Sequence, residues 1–297
     1  MRSRWRCLAT AFLVAAHLES GGLPVRAAGP TISLRARSFR PGELVVVSVS
    51  APPDGTSVEV RAFGKDLQAH RVEPGAWQAL TGIDLDLAPA EYEVTATIDG
   101  VVATKRVQVV PRAFPVRRLT VNPDFVNPPP DLAARIEQES RFIERAYAEG
   151  AREPLWEDAF QRPVPHQANS RFGTRSVFNG EPRSAHAGTD FLSPAGTPVH
   201  APNAGRIVAA RELFFAGRTV MIDHGGGLFS QLAHLSRIDV GEGEMVRPGQ
   251  VVGLVGATGR VTGAHLHWAV RASGARVDAL SVLALLGSAS TQNGPNR

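Results

Sequence analysis

Seven of the nine histidines in this 297-residue chain fall between His166 and His267. Three short clusters stand out there: His186-Ala-Gly-Thr-Asp190, Gln231-Leu-Ala-His234 and His265-Leu-His267. Zinc binds neutral imidazole or carboxylate at roughly 2 Å, with three protein ligands and an open fourth position when the site is catalytic. A fold that uses these clusters together must bring remote stretches of chain to one point. That demand constrains the architecture more than any other feature. The single cysteine, Cys7, lies far from the clusters, so a Cys-rich structural zinc site is excluded. The helical His-Glu-x-x-His motif is absent as well.

The flanks of the clusters read as strand. Bulky residues run from His265 to Val270, with Gly263 before them and Arg271 after. Residues two apart on a strand share a face. His265 and His267 are therefore expected on one face, with Leu266 and Trp268 packed on the other. His186 and Asp190 are four residues apart, on the order of 13 Å between Cα atoms if fully extended. A bend is expected between them, with Gly188 making it easy.

The ordered set Ser170-Arg-Phe-Gly-Thr-Arg175, His186-Ala-Gly-Thr-Asp190, Gly196-Thr-Pro-Val199, Asp223-His-Gly225, His234-Leu-Ser236, Gly249-Gln250, Gly256-Ala-Thr-Gly259 and His265-Leu-His267 resembles the lysostaphin-type, LytM-like zinc endopeptidases. These enzymes cut peptide cross-links of bacterial peptidoglycan. The resemblance covers about 165–286. It implies one zinc ion held by His186, Asp190 and His267, with His234 and His265 as the catalytic pair beside it. Two histidines and a carboxylate leave a fourth position for water. An unligated imidazole nearby can take or give a proton, because its pKa lies close to the working pH. Either His234 or His265 fits the base, and both fit a role in stabilising charge on the tetrahedral intermediate.

Other residues carry weaker expectations. Asp223 and His224 read as turn or supporting groups. Arg175 and Arg183 suit either a substrate carboxylate or the anchoring of a loop. His166 and His200 have no motif around them. The family usually has Tyr two residues before the catalytic His, where this chain has Leu232; a packing role survives and a polar one is lost. The usual Asp-Pro late in the domain is Asp278-Ala279, a change expected to affect a turn.

Arg2, Arg4 and Arg6 precede an apolar run from Leu8 to Ala16, and Val25-Arg-Ala27 offers small residues for cleavage. This is a signal-peptide pattern over 1–27, with a run too short for an ordinary membrane span. Export to the periplasm or cell envelope is expected, with no stable membrane span after cleavage. The chain carries +4 overall, and its first 27 residues hold four arginines and one glutamate, so the remainder is about +1. Such a balance gives no ground for a nucleic-acid partner. With the one cysteine inside the signal, no disulfide framework forms.

The expected fold is mainly β, in successive parts. Residues 30–111 read as an immunoglobulin-like β-sandwich, with strands at Leu44–Val49, Val58–Phe63, Ile83–Leu87, Tyr92–Ile98 and Val101–Val110 separated by turn residues. Residues 112–165 read as a Pro-rich linker with one helix, capped by Asp131 and running to about Tyr147. That helix is expected to pack on a domain and is placed to shield an active-site groove. Residues 166–286 read as an antiparallel β catalytic domain of the lysostaphin/LytM type, and 287–297 as a disordered tail. The expected substrate is peptidoglycan. Two further readings stand beside it: a catalytically weak activator or wall-binding protein, and an exported zinc peptidase acting on proteins.

Overall fold

A computed structural model of the chain describes residues 29–288 apart from 54, 121–129, 157, 170, 171 and 183. The signal expected at 1–27, Arg183, the Asn-Pro sequences at 122–123 and 127–130 apart from Pro130, and all but the first two residues of the tail lie outside the described residues.

Eight strands come first: β1 (Thr31–Arg35), β2 (Leu44–Ser50), β3 (Val58–Ala62), β4 (Lys65–Leu67), β5 (Ala69–Glu73), β6 (Ala76–Gly82), β7 (Glu91–Ile98) and β8 (Val101–Gln108). They form two four-stranded antiparallel sheets, in the orders β1-β2-β6-β5 and β4-β3-β7-β8. Val45, Val47 and Val49 of β2 face Val60, Ala62, Val94 and Ala96 in a shared core. Alternate residues of a strand point to opposite faces, and the other face of β2 is buried too. Leu44 and Val46, with Leu80 of β6, belong to the core of the large sheet described below. A strand buried on both sides reads as a continuous apolar run, and Leu44-Val-Val-Val47 is one.

The strand expected at Ile83–Leu87 is a turn instead. The Asp84 carboxylate accepts from Asp86 N at 3.0 Å, and the Asp84 carbonyl accepts from Leu87 N at 3.0 Å. An Asp that closes a turn on its own backbone competes with strand pairing. The strand lies just before it, in Ala76–Gly82, where small residues weaken the apolar signal.

The second half holds β9 (Val116–Leu119), helix α1 (Pro130–Ala148), β10 (Arg175–Phe178), β11 (Glu181–Pro182), β12 (Gly188–Phe191), β13 (Pro198–His200), β14 (Gly205–Leu213), β15 (Gly217–Asp223), β16 (Leu228–Ile238), β17 (Met245–Val246), β18 (Val251–Val255), β19 (Leu266–Ala272), β20 (Ala275–Val277) and helix α2 (Ala279–Leu286). A nine-stranded antiparallel sheet has the main path β12-β19-β16-β15-β14-β17, with β13, β18 and β20 attached to it. Trp268, Phe191, Leu232, Leu235 and Ile222 fill its core, joined by Phe160 and Val164 from the segment read as linker. β9, β10 and β11 form a separate three-stranded sheet, with β9 parallel to β10.

α1 begins at Pro130, so Asp131 lies in its first turn rather than at its cap. Proline suits a first helical position, where no backbone N–H is needed. The helix seats on the large sheet: Glu139 accepts from Phe214 N at 2.7 Å, and the Tyr147 ring meets Phe229 edge-on at 5.1 Å. α2 was not expected. Its eight residues, all apolar but Ser281, show no face pattern that separates helix from strand. Its start is fixed by Asp278, which accepts from Leu280 N at 3.0 Å.

Candidate metal centre

The register of three strands assembles the site. In the β12–β19 pair Asp190 stands opposite His267, and in the β16–β19 pair Ala233 does. His186 precedes β12 and is held by two backbone bonds, its N–H donating to the Thr174 carbonyl at 2.9 Å and its carbonyl accepting from Gly173 N at 2.8 Å. His186 Nε2, Asp190 Oδ1 and His267 Nδ1 converge, with separations of 3.2, 3.1 and 3.0 Å. Donor atoms of a tetrahedral site with bonds of roughly 2.0–2.1 Å stand about 3.3 Å apart. The His-Asp-His set therefore fits such an ion in both type and spacing.

The electrostatics agree. Burial alone would raise the Asp190 carboxyl, but hydrogen bonds and charge from His186 and His267 outweigh it and hold the group well below the usual carboxylate range. Burial pushes the His267 imidazole down, against the bond to Asp190. An ionised carboxylate and a neutral imidazole are the forms that coordinate a metal.

Gly188 has a role different from the one its sequence suggested. It is a strand residue, and its backbone is not in the left-handed region. A Cβ there would stand 2.4 Å from His267 Cε1 and 2.5 Å from Nε2. The missing side chain admits the ligand ring, and the approach of His186 to Asp190 is made by the chain before the strand.

His234 sits at a kink in β16, with φ of 66°, uncommon for a residue other than glycine. The β15–β16 register shifts at this point, between Arg218 opposite Leu235 and Val220 opposite Leu232. Such bulges re-aim a side chain. Here the imidazole comes within 4.9 Å of the His265 ring and 5.6 Å of the His267 ring, between centroids. Its Nδ1 donates to the Thr258 carbonyl at 2.9 Å, leaving Nε2 with the lone pair. His265 does the same, donating from Nδ1 to the Gly263 carbonyl at 2.9 Å, with Nε2 3.7 Å from Asp190 Oδ1. Thr258 had no assigned role in the sequence reading. Its hydroxyl donates to the Leu235 carbonyl at 2.8 Å and accepts from Arg218 N at 2.9 Å, which fixes the loop carrying the carbonyl that holds His234.

His224 and Asp223 support the sheet from behind. His224 is fully buried and donates from Nδ1 to the Ala204 carbonyl at 2.7 Å, so its Nε2 accepts from Ser230 Oγ at 2.9 Å. Ser230 Oγ in turn accepts from Trp268 Nε1 at 3.0 Å, next in sequence to His267. Asp223 accepts from Ala151 N at 2.7 Å and Gly225 N at 2.8 Å, tying the segment just after α1 to a turn. Arg175 lies on β10, 3.9 Å from Asp86 in the turn after β6. Leu232 is fully buried between Val220 and Trp268, a packing role only. His166 and His200 bond elsewhere, to Ser193 Oγ at 3.0 Å and the Pro163 carbonyl at 3.3 Å.

A β-sheet site with two histidines, one aspartate and two further imidazoles defines a class, and comparison with known proteins places the chain in it. The sequence profile of peptidase family M23 matches residues 184–279. A crystal structure of a peptidase assigned to M23 from Pseudomonas aeruginosa is 31% identical, covering 83% of this chain and 95% of that one, with a TM-score of 0.65. The chain belongs to peptidase family M23. Among characterised relatives, the peptidoglycan DD-endopeptidase ShyA of Vibrio cholerae serotype O1 is 43% identical over 126 residues, 41% of this chain and 29% of ShyA. ShyB of the same organism, with the same description, is 35% identical over 155 residues, 50% of this chain and 35% of ShyB. The DD-carboxypeptidase/endopeptidase Mpg of Neisseria meningitidis serogroup B is 44% identical over 97 residues, 33% of this chain and 22% of Mpg. The matches thus span about a third or less of each of these relatives.

Proposed function

We propose that this protein is an exported zinc metalloendopeptidase that hydrolyses peptide cross-links of bacterial peptidoglycan. The observation that carries the reading is the convergence of His186, Asp190 and His267 donor atoms within 3.2 Å of one another, with the His234 and His265 rings beside them. Zinc bound there supplies a polarised scissile carbonyl and a water acidic enough to attack at neutral pH.

The chain's own residues do the rest. Asp190 stays ionised and His267 neutral, so both remain ligands without a change of protonation. His234 and His265 each donate from Nδ1 to a carbonyl, which leaves Nε2 of the neutral ring with the lone pair, and burial pushes His234 down to about 4. An imidazole so fixed takes a proton from an attacking water and returns it to the leaving amine. In its protonated form it also stabilises negative charge developing on the carbonyl oxygen.

The substrate follows from the relatives, since ShyA and ShyB are described as peptidoglycan DD-endopeptidases. Export follows from the signal-like residues 1–27, and no helix among the described residues is long and apolar enough to cross a membrane. Shielding of the groove by the linker draws support from α1, which binds Phe214 on the hairpin whose Ala216 carbonyl accepts from His234 N at 2.9 Å. Replacing 113–148 with a flexible linker should then raise the hydrolysis rate, and an unchanged rate contradicts shielding.

The test uses purified sacculi and the signal-free protein. Chelator-sensitive release of cross-linked muropeptides as monomers is expected. No release from a zinc-loaded protein would overturn the substrate assignment and favour an activator or a peptidase acting on proteins.

A further inference from the structure

A buried polar cluster joins the N-terminal sheets to the strand that carries Asp190. Arg37, in the N-terminal half, donates to both Glu43 carboxylate oxygens at 2.7 and 2.9 Å and to Asp278 Oδ2 at 3.0 Å. Asp278 Oδ1 accepts from Thr189 Oγ1 at 3.0 Å. Thr189 is fully buried on β12, the residue before Asp190. Side chains alternate along a strand, so Thr189 points away from the face on which Asp190 meets the histidines. Glu43 completes the cluster by accepting from Ser281 Oγ at 2.8 Å, while Leu44 N donates to that same oxygen at 3.0 Å. The Gly42 carbonyl accepts from Asp278 N at 2.8 Å. Asp278 and Glu43 are both 5% exposed, and buried polar groups of this kind need such hydrogen-bond partners.

We infer that the N-terminal β-sheets are a working part of the metal centre: Arg37, acting through Asp278 and Thr189, positions strand β12 so that Asp190 meets its two histidines. Arg37, Asp278 and Thr189 are positioning residues, since none touches the donor atoms. Two observations carry this beyond ordinary domain packing. The chain of bonds ends one residue from a ligand, on the opposite face of the same strand. The contact is also specific in charge: two buried carboxylates on opposite sides of the junction are bridged by Arg37, with Arg112 Nη1 3.3 Å from Glu43 and Nη2 3.9 Å from Asp278, whereas apolar contacts such as Leu44 and Leu80 would hold the sheets together without it. Partners that orient metal ligands from behind typically change metal affinity by 10–100-fold when removed.

The inference rests on the metal-site part of the proposed function, and its test needs no wall substrate. Zinc affinity is measured by competition with a chelating dye on the full signal-free protein, for the wild type, Thr189→Val, Thr189→Ser and Arg37→Met. Arg61→Ala, an exposed position of the same sheets, serves as control. Thr189→Val keeps the shape and removes the hydroxyl, and its zinc dissociation constant should rise about 10-fold. Thr189→Ser restores the hydroxyl and should return affinity to within about threefold of the wild type. Arg37→Met should weaken zinc at least as much as Thr189→Val, and Arg61→Ala should leave it unchanged. Where Arg37→Met does not fold, the two Thr189 variants decide. Zinc affinity in Thr189→Val equal to the wild type, even with a lowered melting temperature, would overturn the inference and leave the cluster a plain structural contact. Failure of the zinc-loaded wild type to cut sacculi would remove the substrate assignment and leave these outcomes as they are.

Discussion

His234 takes a left-handed backbone conformation, φ 66°, and its Nδ1 donates to the Thr258 carbonyl at 2.9 Å. A conformation of this kind costs of order 1–3 kcal/mol for a non-glycine residue and persists where its surroundings hold it. The Thr258 loop does the holding here, and the gain is a histidine aimed across the sheet at the metal ligands.

Thr258→Val should therefore lower kcat by roughly 10-fold or more, about 1.4 kcal/mol in the barrier, while zinc content stays at the wild-type level. Its hydroxyl bonds to Leu235 and Arg218 would be lost. Steady-state kinetics on a cross-linked muropeptide, with metal analysis alongside, provides the check. Loss of zinc together with activity would mean that Thr258 supports the ligands rather than His234.

Gly188→Ala places a methyl group 2.4 Å from His267 Cε1 and 3.0 Å from the Trp268 carbonyl oxygen. The His267 ring cannot retreat freely, because its Nδ1 is committed to Asp190 and His186. Zinc affinity should fall by at least about 10-fold, in line with other disturbances of ligand orientation. Dye competition measures it directly.

The buried His224 imidazole is pushed down to about 4 by burial, against the bond to the Ala204 carbonyl, which favours the charged ring. Above the ordinary histidine value near 6.5, folded and unfolded chains both hold it neutral and the shift has no effect. Between 6.5 and about 4 the unfolded chain takes up a proton that the folded chain refuses, so stability falls as pH falls. The full penalty, on the order of 3 kcal/mol, is reached below about pH 4. His224→Gln should reduce that slope in the metal-free protein, leaving the part that His234, pushed down to about 4 as well, contributes. Denaturant unfolding of both proteins at pH 7 and pH 4 gives the comparison, and equal acid losses would show that His224 is not held neutral.

The sequence made the metal set legible because a catalytic zinc site needs particular side chains, and those side chains were clustered. Strand periodicity predicts His265 and His267 on one face; both reach Asp190 Oδ1, at 3.7 and 3.0 Å, although β19 begins only at Leu266 and His265 sits at an isolated bridge to Gly256. Position was harder to read than identity. The φ of His234 follows from a bulge between β15 and β16, a pairing irregularity with no local sequence signal. The role of Gly188 depends on a ring 79 residues away, so its backbone freedom suggested a bend that it does not make. Asp278 was read as part of a turn, and its contacts with Arg37 and Thr189 appear only once two distant segments meet. Arg175, for which anchoring a loop was one of two expected roles, lies 3.9 Å from Asp86 across a junction that no single stretch of sequence encodes.

Five side chains divide the labour at this site, three holding the metal and two beside it, and His234→Ala and His267→Ala separate the two groups. Zinc per protein and hydrolysis of a cross-linked muropeptide are determined on the same preparations. His267→Ala should lose both zinc and activity, while His234→Ala should keep close to one zinc per chain and lose activity by on the order of 10²-fold or more. Loss of zinc from His234→Ala, or a zinc-bound and active His267→Ala, would contradict this division of labour.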